Sequence, residues 1–218
     1  MASVGSLREH LVEELNDLLN AEQQLIEALP QIAERATRRE LKGAFTRHLA
    51  ETKRHAQRAT RALQLLEERP SGKTCAAMEG LLEEGQELMA AGDRGALLDA
   101  MLITAAQKVE HYEIATYGTV RTYAQVLGLR DVAKLMAQTL KEEKAADRKL
   151  TQIAEGDVNR RAAEEWHERM GMVEKSARWV GSAVGTVARQ IMPRATATDR
   201  RKAGRSRHSR ARSRRRRR

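Results

Sequence analysis

Apolar residues in this chain recur at alternating steps of four and three through long stretches that hold almost no glycine or proline. In the first stretch Leu11, Leu15, Leu18, Glu22, Leu25 and Leu29 follow that spacing, which keeps side chains on one face of an α-helix. A chain patterned in this way is built from long amphipathic helices. Strands are disfavoured as well, because 218 residues include only six aromatics and three prolines, too few for the aromatic content and turn punctuation of a sandwich or barrel. The length suits one moderate core with appendages.

Helix A is predicted from a capping box, Ser6-Leu7-Arg8-Glu9, to about Arg35, with Pro30 expected to bend it. A second capping box, Thr37-Arg38-Arg39-Glu40, is predicted to open helix B, which carries Leu41, Ala44, Phe45, His48, Glu51, Thr52, His55, Ala59, Leu63 and Leu66 inward and ends at Pro70-Ser71-Gly72. A brief helix is expected within residues 74–91. Helix C is predicted over 96–126 with two adjacent apolar stripes, and helix D over 132–155, with Asp131 as N-cap and Gly156 as stop. Short links within the A–B and C–D pairs and a long link between them describe two antiparallel hairpins joined by a crossover, which is the ferritin-like form of a four-helix bundle. The expected fold is therefore all-α: a bundle over 1–156, an amphipathic helix over 157–193 and a disordered basic tail over 194–218.

Four glutamates lie where leucines belong. Glu22 interrupts the leucine ladder of helix A, Glu51 lies between His48 and His55, and Glu110 and Glu143 occupy the inward stripes of helices C and D. A single glutamate on a helix usually faces water. One per helix, near mid-height, is a different pattern: four carboxylates around a common centre repel one another and call for bound cations.

Several segments carry a family resemblance: NDLLNAEQQL (16–25), HLAET (48–52), CAAMEGLLEEG (75–85), AAQKVEHYEIATYG (105–118) and LKEEKAAD (140–147). They resemble the YciE/YciF group of bacterial ferritin-like, stress-associated proteins over about residues 7–155. The resemblance implies a rubrerythrin-like bundle, a dimer and a dinuclear metal centre. Di-iron sites of this kind use one Glu on each of two helices and a Glu-x-x-His pair on each of the other two. On that template Glu22 and Glu110 take the single positions, and Glu51 and Glu143 the bridging ones. The histidines depart from it. The third residue after Glu51 is Arg54, with His55 one place later; after Glu143 it is Ala146, with Asp147 next. The expected metal ligands are Glu22, Glu51, His55, Glu110, Glu143 and Asp147. His48 is an alternative donor, and Glu113 and Glu142 are substitutes or acceptors behind the ligands. An oxygen-rich donor set suits two Fe ions, with Mn as the alternative.

The formal charge of +10 is unevenly distributed. Arg200, Arg201, Lys202, Arg205, Arg207, Arg210, Arg212, Arg214, Arg215, Arg216, Arg217 and Arg218 carry +12 with no acid among them, which leaves −2 on residues 1–199. The tail resembles a protamine-like polycation, and DNA is its expected partner, with RNA, polyphosphate, acidic protein or anionic lipid as other polyanions. The helix before it has small residues at Ala177, Gly181 and Gly185 and an apolar face suited to docking on the bundle or another subunit; contact with a membrane surface is less favoured, and no stretch is long enough to span one. Cys75 has no cysteine partner and reads as a buried small hydrophobe in a reducing, cytoplasmic setting, with nucleoid association through the tail. Two functions fit: a metal protein that oxidises iron or removes peroxide while held on DNA, or a non-enzymatic DNA-binding protein whose bundle is only an oligomerisation scaffold.

Overall fold

The computed structural model describes residues 5–172. Five α-helices follow in order: α1 (Leu7–Arg35), α2 (Arg39–Leu65), α3 (Ala76–Ala91), α4 (Ala96–Val126) and α5 (Arg130–Ile153). All five belong to one compact unit, Met1–His167, and the described residues include no strand. Helix α1 packs along α2 and α4 along α5; α2 also faces α5, and α1 faces α4. The long α2–α4 connection carries α3, which packs on α4. This is the expected ferritin-like bundle with a short crossover helix.

Burial follows the four-three pattern. Leu11, Leu15, Leu18, Glu22, Leu25 and Leu29 are all buried on α1, as are Leu41, Phe45, His48, Thr52, His55, Ala59 and Leu63 on α2. The apolar core is in two parts. One lies around Leu29, Phe45, Met78, Leu102 and Leu150, the other around Leu15, Leu63, Tyr117, Val120 and Met136. Between the two parts the stripes turn polar, and all the buried charged side chains except Asp99 occupy that level.

The helix ends show where local signals gave way to tertiary contacts. The Ser6 hydroxyl accepts from the Glu9 amide at 3.1 Å, as the first capping box predicts. The second box does not form. Helix α2 starts one residue later, behind Arg38, and has no side-chain cap of its own. Its free amides are taken by a different helix: Asp99 of α4, buried, accepts from the Thr37 amide at 2.7 Å and the Arg38 amide at 2.9 Å. The carboxylate takes the two amides that lead into α2, and its negative charge suits the positive end of the helix dipole. Helix α2 also ends before the proline, leaving helical geometry through Glu67 at φ +63°. The α4–α5 turn uses Gly128 at φ +72°, and the Leu129 amide reaches back to the Ala124 carbonyl at 2.8 Å, the closing bond of a glycine C-cap. Asp131 is not the N-cap of α5; that position falls to Leu129, and Asp131 lies in the first turn.

Gly156 does not stop the chain's last described helix. It sits inside a π-helical turn, Ala154–Val158, after which helical geometry resumes over residues 159–172. The π turn is secured by Asp157, which binds Arg38, Arg160 and Arg161. Beyond it the Glu165 carboxylate accepts from the Ala96 amide at 2.8 Å and caps α4. No helix among the described residues is long and apolar enough to cross a membrane. The remainder of the predicted 157–193 helix and the whole Arg-rich tail lie outside the described residues.

Candidate metal centre

Six buried side chains meet where the two core clusters part. Helix α1 supplies Glu22, α2 supplies His48 and His55, α4 supplies Glu110 and Glu113, and α5 supplies Glu143. Glu22, His55, Glu113 and Glu143 are each 0% exposed. Two groupings have ligand atoms within 4.8 Å of one another: His48, Glu110, Glu113 and Glu143; and Glu22, His55 and Glu143. Glu143 belongs to both.

Distances define the arrangement. His48 Nε2 lies 3.3 Å from Glu110 Oε1 and 4.0 Å from Glu143 Oε2. His55 Nδ1 lies 2.6 Å from Glu143 Oε1 and 3.6 Å from Glu22 Oε1. Even so, His55 Nδ1, both oxygens of Glu143 and of Glu113, Glu22 Oε2 and Glu110 Oε2 are buried without a hydrogen-bond partner. The His55–Glu143 pair is close but points off the line a hydrogen bond needs. Buried polar atoms are almost always paired. A convergent set of unpaired carboxylate oxygens and imidazole nitrogens has the donor chemistry of a cation site, so these residues fit the metal that the ferritin-like fold implies.

The other ring nitrogen of His55 is held from behind. His55 Nε2 bonds Glu142 Oε2 at 2.9 Å, and Arg58 grips both oxygens of Glu142 at 2.8 and 3.0 Å. Donation from Nε2 to the carboxylate fixes the tautomer and turns the Nδ1 lone pair toward Glu22 and Glu143. Burial alone would raise the pKa of Glu142, but Arg58 and His55 outweigh it and hold it at about 2. On α1 the Tyr117 hydroxyl donates to Glu22 Oε1 and fixes that carboxylate.

Without cations, the centre is balanced by protons. Burial disfavours a charged His48, yet Glu110, Glu51 and Glu143 outweigh it and raise the imidazole to about 9. Glu143 and Glu22 likewise overcome burial at His55 and raise it to about 10. Burial lifts Glu110 to about 8 and carries Glu113 well above the carboxylate range, with Glu22, Glu143 and Glu110 adding to the latter by repulsion. Glu22 is also raised by burial, against the pull of His55.

Two predicted ligands stand outside both groupings. Glu51 is 35% exposed and meets the centre only through His48 Nδ1 at 3.8 Å. Asp147 accepts from Gln107 at 3.0 Å and lies 3.4 Å from His111 Nε2. The alternates His48 and Glu113 are inside, and Glu142 lies behind His55. The frame on α2 is set by His55, and the residue three places before it is Thr52, buried, whose hydroxyl is spent on the His48 carbonyl at 2.9 Å. On α5 the corresponding pair is Glu143 and Ala146. Each Glu-x-x-His element therefore keeps one of its two residues. Thr52 as the replaced position and Arg58 as the anchor of Glu142 were not foreseen; strict four-three stepping through His48 and His55 selects 52, not 51, whereas nothing in the spacing marks Arg58.

The fold and the centre define the chain as a ferritin-like helical protein with buried His/Glu groups able to hold metal. It belongs to the family described as a domain of unknown function (DUF892), which matches residues 6–163. It is 43% identical over 164 residues to Protein YciF of Escherichia coli K12, covering 73% of this chain and 97% of that protein. The crystal structure of the E. coli stress protein YciF superposes with a TM-score of 0.69 at 41% identity, over 72% of this chain and 99% of the other. YcfI of Rhodopseudomonas palustris gives 0.66 at 39% identity, over 69% and 96%. A Xanthomonas campestris protein at 22% identity and TM-score 0.59, over 74% of this chain and 99% of that one, shares the fold.

Proposed function

We propose that the bundle holds a dinuclear metal centre, with His48, Glu110, Glu113 and Glu143 around one ion and Glu22, His55 and Glu143 around the other. The observation that carries this reading is the sharing of Glu143, whose two buried oxygens lack any other partner. Four carboxylates with two neutral imidazoles match the charge of two divalent cations, and the oxygen-rich set favours Fe, with Mn as the alternative. An iron pair held by these residues would supply redox chemistry toward oxygen or peroxide. The protein's part is to hold the ligands, exclude water and fix His55 through Glu142 and Arg58. That the E. coli relative is a stress protein agrees with oxidant handling. The ligand set differs from the sequence expectation in exchanging Glu51 and Asp147 for His48 and Glu113.

The same reading gives the tail a tethering role. Twelve cations without an acid or an aromatic favour phosphate-backbone contact over base stacking, and place the protein on DNA in the cytoplasm, at the nucleoid. The functional unit is a homodimer, to be checked by light scattering. Anaerobic iron loading of full-length protein, followed by metal analysis, tests the centre: Glu143→Ala abolishes uptake of both ions, and unchanged iron content in that variant refutes the proposal. Gel shifts of full-length protein against a truncation after Thr198 test the tail, and equal binding by both refutes tethering.

A further inference from the structure

A cavity of about 220 Å³ lies beside the centre. It is larger than the engineered apolar cavity of roughly 150 Å³ that takes up benzene. Apolar side chains from all five helices wall it, among them Leu29, Phe45, Leu82, Val109 and Leu150. Its space comes from small residues at core positions. Ala106 falls between Ile103 and Glu110 on the buried stripe of α4, and Ala146 between Glu143 and Leu150 on that of α5; a leucine at either would occupy part of it. Interiors are ordinarily packed without such voids. Ala146 is also the place where the Glu-x-x-His pattern puts an imidazole, so the missing ring and the cavity are the same feature.

The polar lining is divided. Gln31, Arg47 and Gln86 are exposed, Lys149 and Glu51 are half-buried, and only His48 and Glu110 are buried. Each of those two has a buried atom without a partner, His48 Nδ1 and Glu110 Oε2. Both belong to one metal grouping; neither Glu22 nor His55, which complete the other with Glu143, lines the cavity. Apolar walls that meet His48 and Glu110, the two buried polar residues of the lining, match a molecule with an apolar body and one polar end.

We infer that this cavity binds a small organic molecule with an alkyl or aryl body and a single uncharged oxygen end, the body against the apolar wall and the oxygen facing His48 and Glu110. It rests on the metal reading only in making that molecule a substrate of the centre. The apolar wall disfavours a sugar or nucleotide.

Calorimetric titration of the full-length protein with 1-octanol tests the inference, with 1,8-octanediol in parallel. One molecule of 1-octanol binds per chain, at least tenfold tighter than the diol, whose second hydroxyl would lie against the apolar wall. Ala106→Leu and Ala28→Leu, which add bulk to two different walls, each weaken octanol at least tenfold. In Mn-loaded protein the hydroxyl-bearing carbon of labelled octanol relaxes faster than the terminal methyl. No binding, equal binding of the diol, undiminished binding in both variants, or faster relaxation at the methyl end overturns the inference. Octanol binding in a protein that takes up no metal refutes the dinuclear centre alone; metal uptake without octanol binding refutes the cavity alone.

Discussion

Replacing Glu113 by Met makes the metal-free protein more stable and the metal-supplied protein no more stable than that. Glu113 is 0% exposed, and neither of its carboxyl oxygens has a partner. Burial and three neighbouring carboxylates keep it protonated, so the relevant cost is that of a buried neutral carboxyl without hydrogen bonds, on the order of 1–3 kcal/mol. Met matches its length without a branch and removes both orphan oxygens. In a domain of this size each kcal/mol moves the midpoint by about 2–4 °C, so the metal-free variant should melt roughly 2–12 °C above wild type. Metal offsets this difference. At a free metal concentration of about a hundred times Kd the wild type gains about 2.7 kcal/mol, or roughly 5–11 °C, whereas the variant has lost a ligand to one ion and gains much less. Differential scanning calorimetry with chelator and with anaerobic Fe(II) or Mn(II) reads both shifts. A fall in the metal-free midpoint, as an ordinary core substitution gives, or a full metal-induced rise in the variant, refutes the assignment of Glu113 as a ligand kept at the expense of stability.

Other perturbations separate the parts of the centre. Glu51→Ala leaves iron stoichiometry unchanged, while Glu143→Ala removes it; equal losses in metal analysis would restore the reading in which Glu51 bridges. Arg58→Met releases Glu142 and with it the orientation of His55, so metal affinity falls about 10- to 100-fold with the fold intact, as competition with a fluorescent chelator would show. The metal-free protein loses stability as pH rises. His48, His55 and Glu110 have folded pKa values of about 9, 10 and 8, above their unfolded values, so their protonated forms favour folding below about pH 6.5, or 4.5 for Glu110, and the contribution is lost by about pH 10. Chemical denaturation between pH 6 and 10 with chelator present tests this, and a flat or rising profile contradicts it. Binding of full-length protein to duplex DNA drops ~10³- to 10⁵-fold between 50 and 200 mM salt if ~6–10 tail cations engage phosphates; a shallow dependence by fluorescence anisotropy argues for another mode.

Much of this was legible in the sequence because helix packing repeats. The four-three stepping that marks Leu11 to Leu29 continues through Leu41, Phe45, His48, Thr52, His55 and Ala59, and the same rule passes through Glu110, Glu113 and Tyr117 on α4 and through Thr139, Glu143 and Ala146 on α5. All but Ala146 are buried. The pattern excludes Glu51 and Asp147, each one position off the stripe. Glu51 is the carboxylate that the family template points to at the bridging position, whereas the strictly alternating stripe passes through Thr52. What the spacing could not supply was contact between distant segments. Asp99 caps α2 from another helix, and Arg58 holds Glu142 across 84 positions of sequence; such pairs exist only once the helices are assembled. Gly156 illustrates the reverse error, in which a residue with stop character is carried inside a π turn because Asp157 secures that turn with three arginines.

Protons and metal ions are two ways to neutralise the same buried set. With Glu110 and Glu113 protonated and both imidazoles charged, protons supply the neutralisation that metal otherwise gives; with two divalent cations, four carboxylates and two neutral imidazoles balance in charge. Loading at pH 7 must therefore expel on the order of four protons per chain, from His48, His55, Glu110 and Glu113. Titrating metal-free protein with Mn(II) in buffers of different ionisation enthalpy gives the number from the slope of observed heat against buffer heat. Glu113→Met removes one of the releasing groups and should lower the count by about one, a change that a purely structural role for Glu113 would not produce. Release of fewer than about one proton for two ions would mean that the carboxylates are already ionised without metal. The proton-balanced description of the centre, and the stability gain derived from it for Glu113→Met, would then both be wrong.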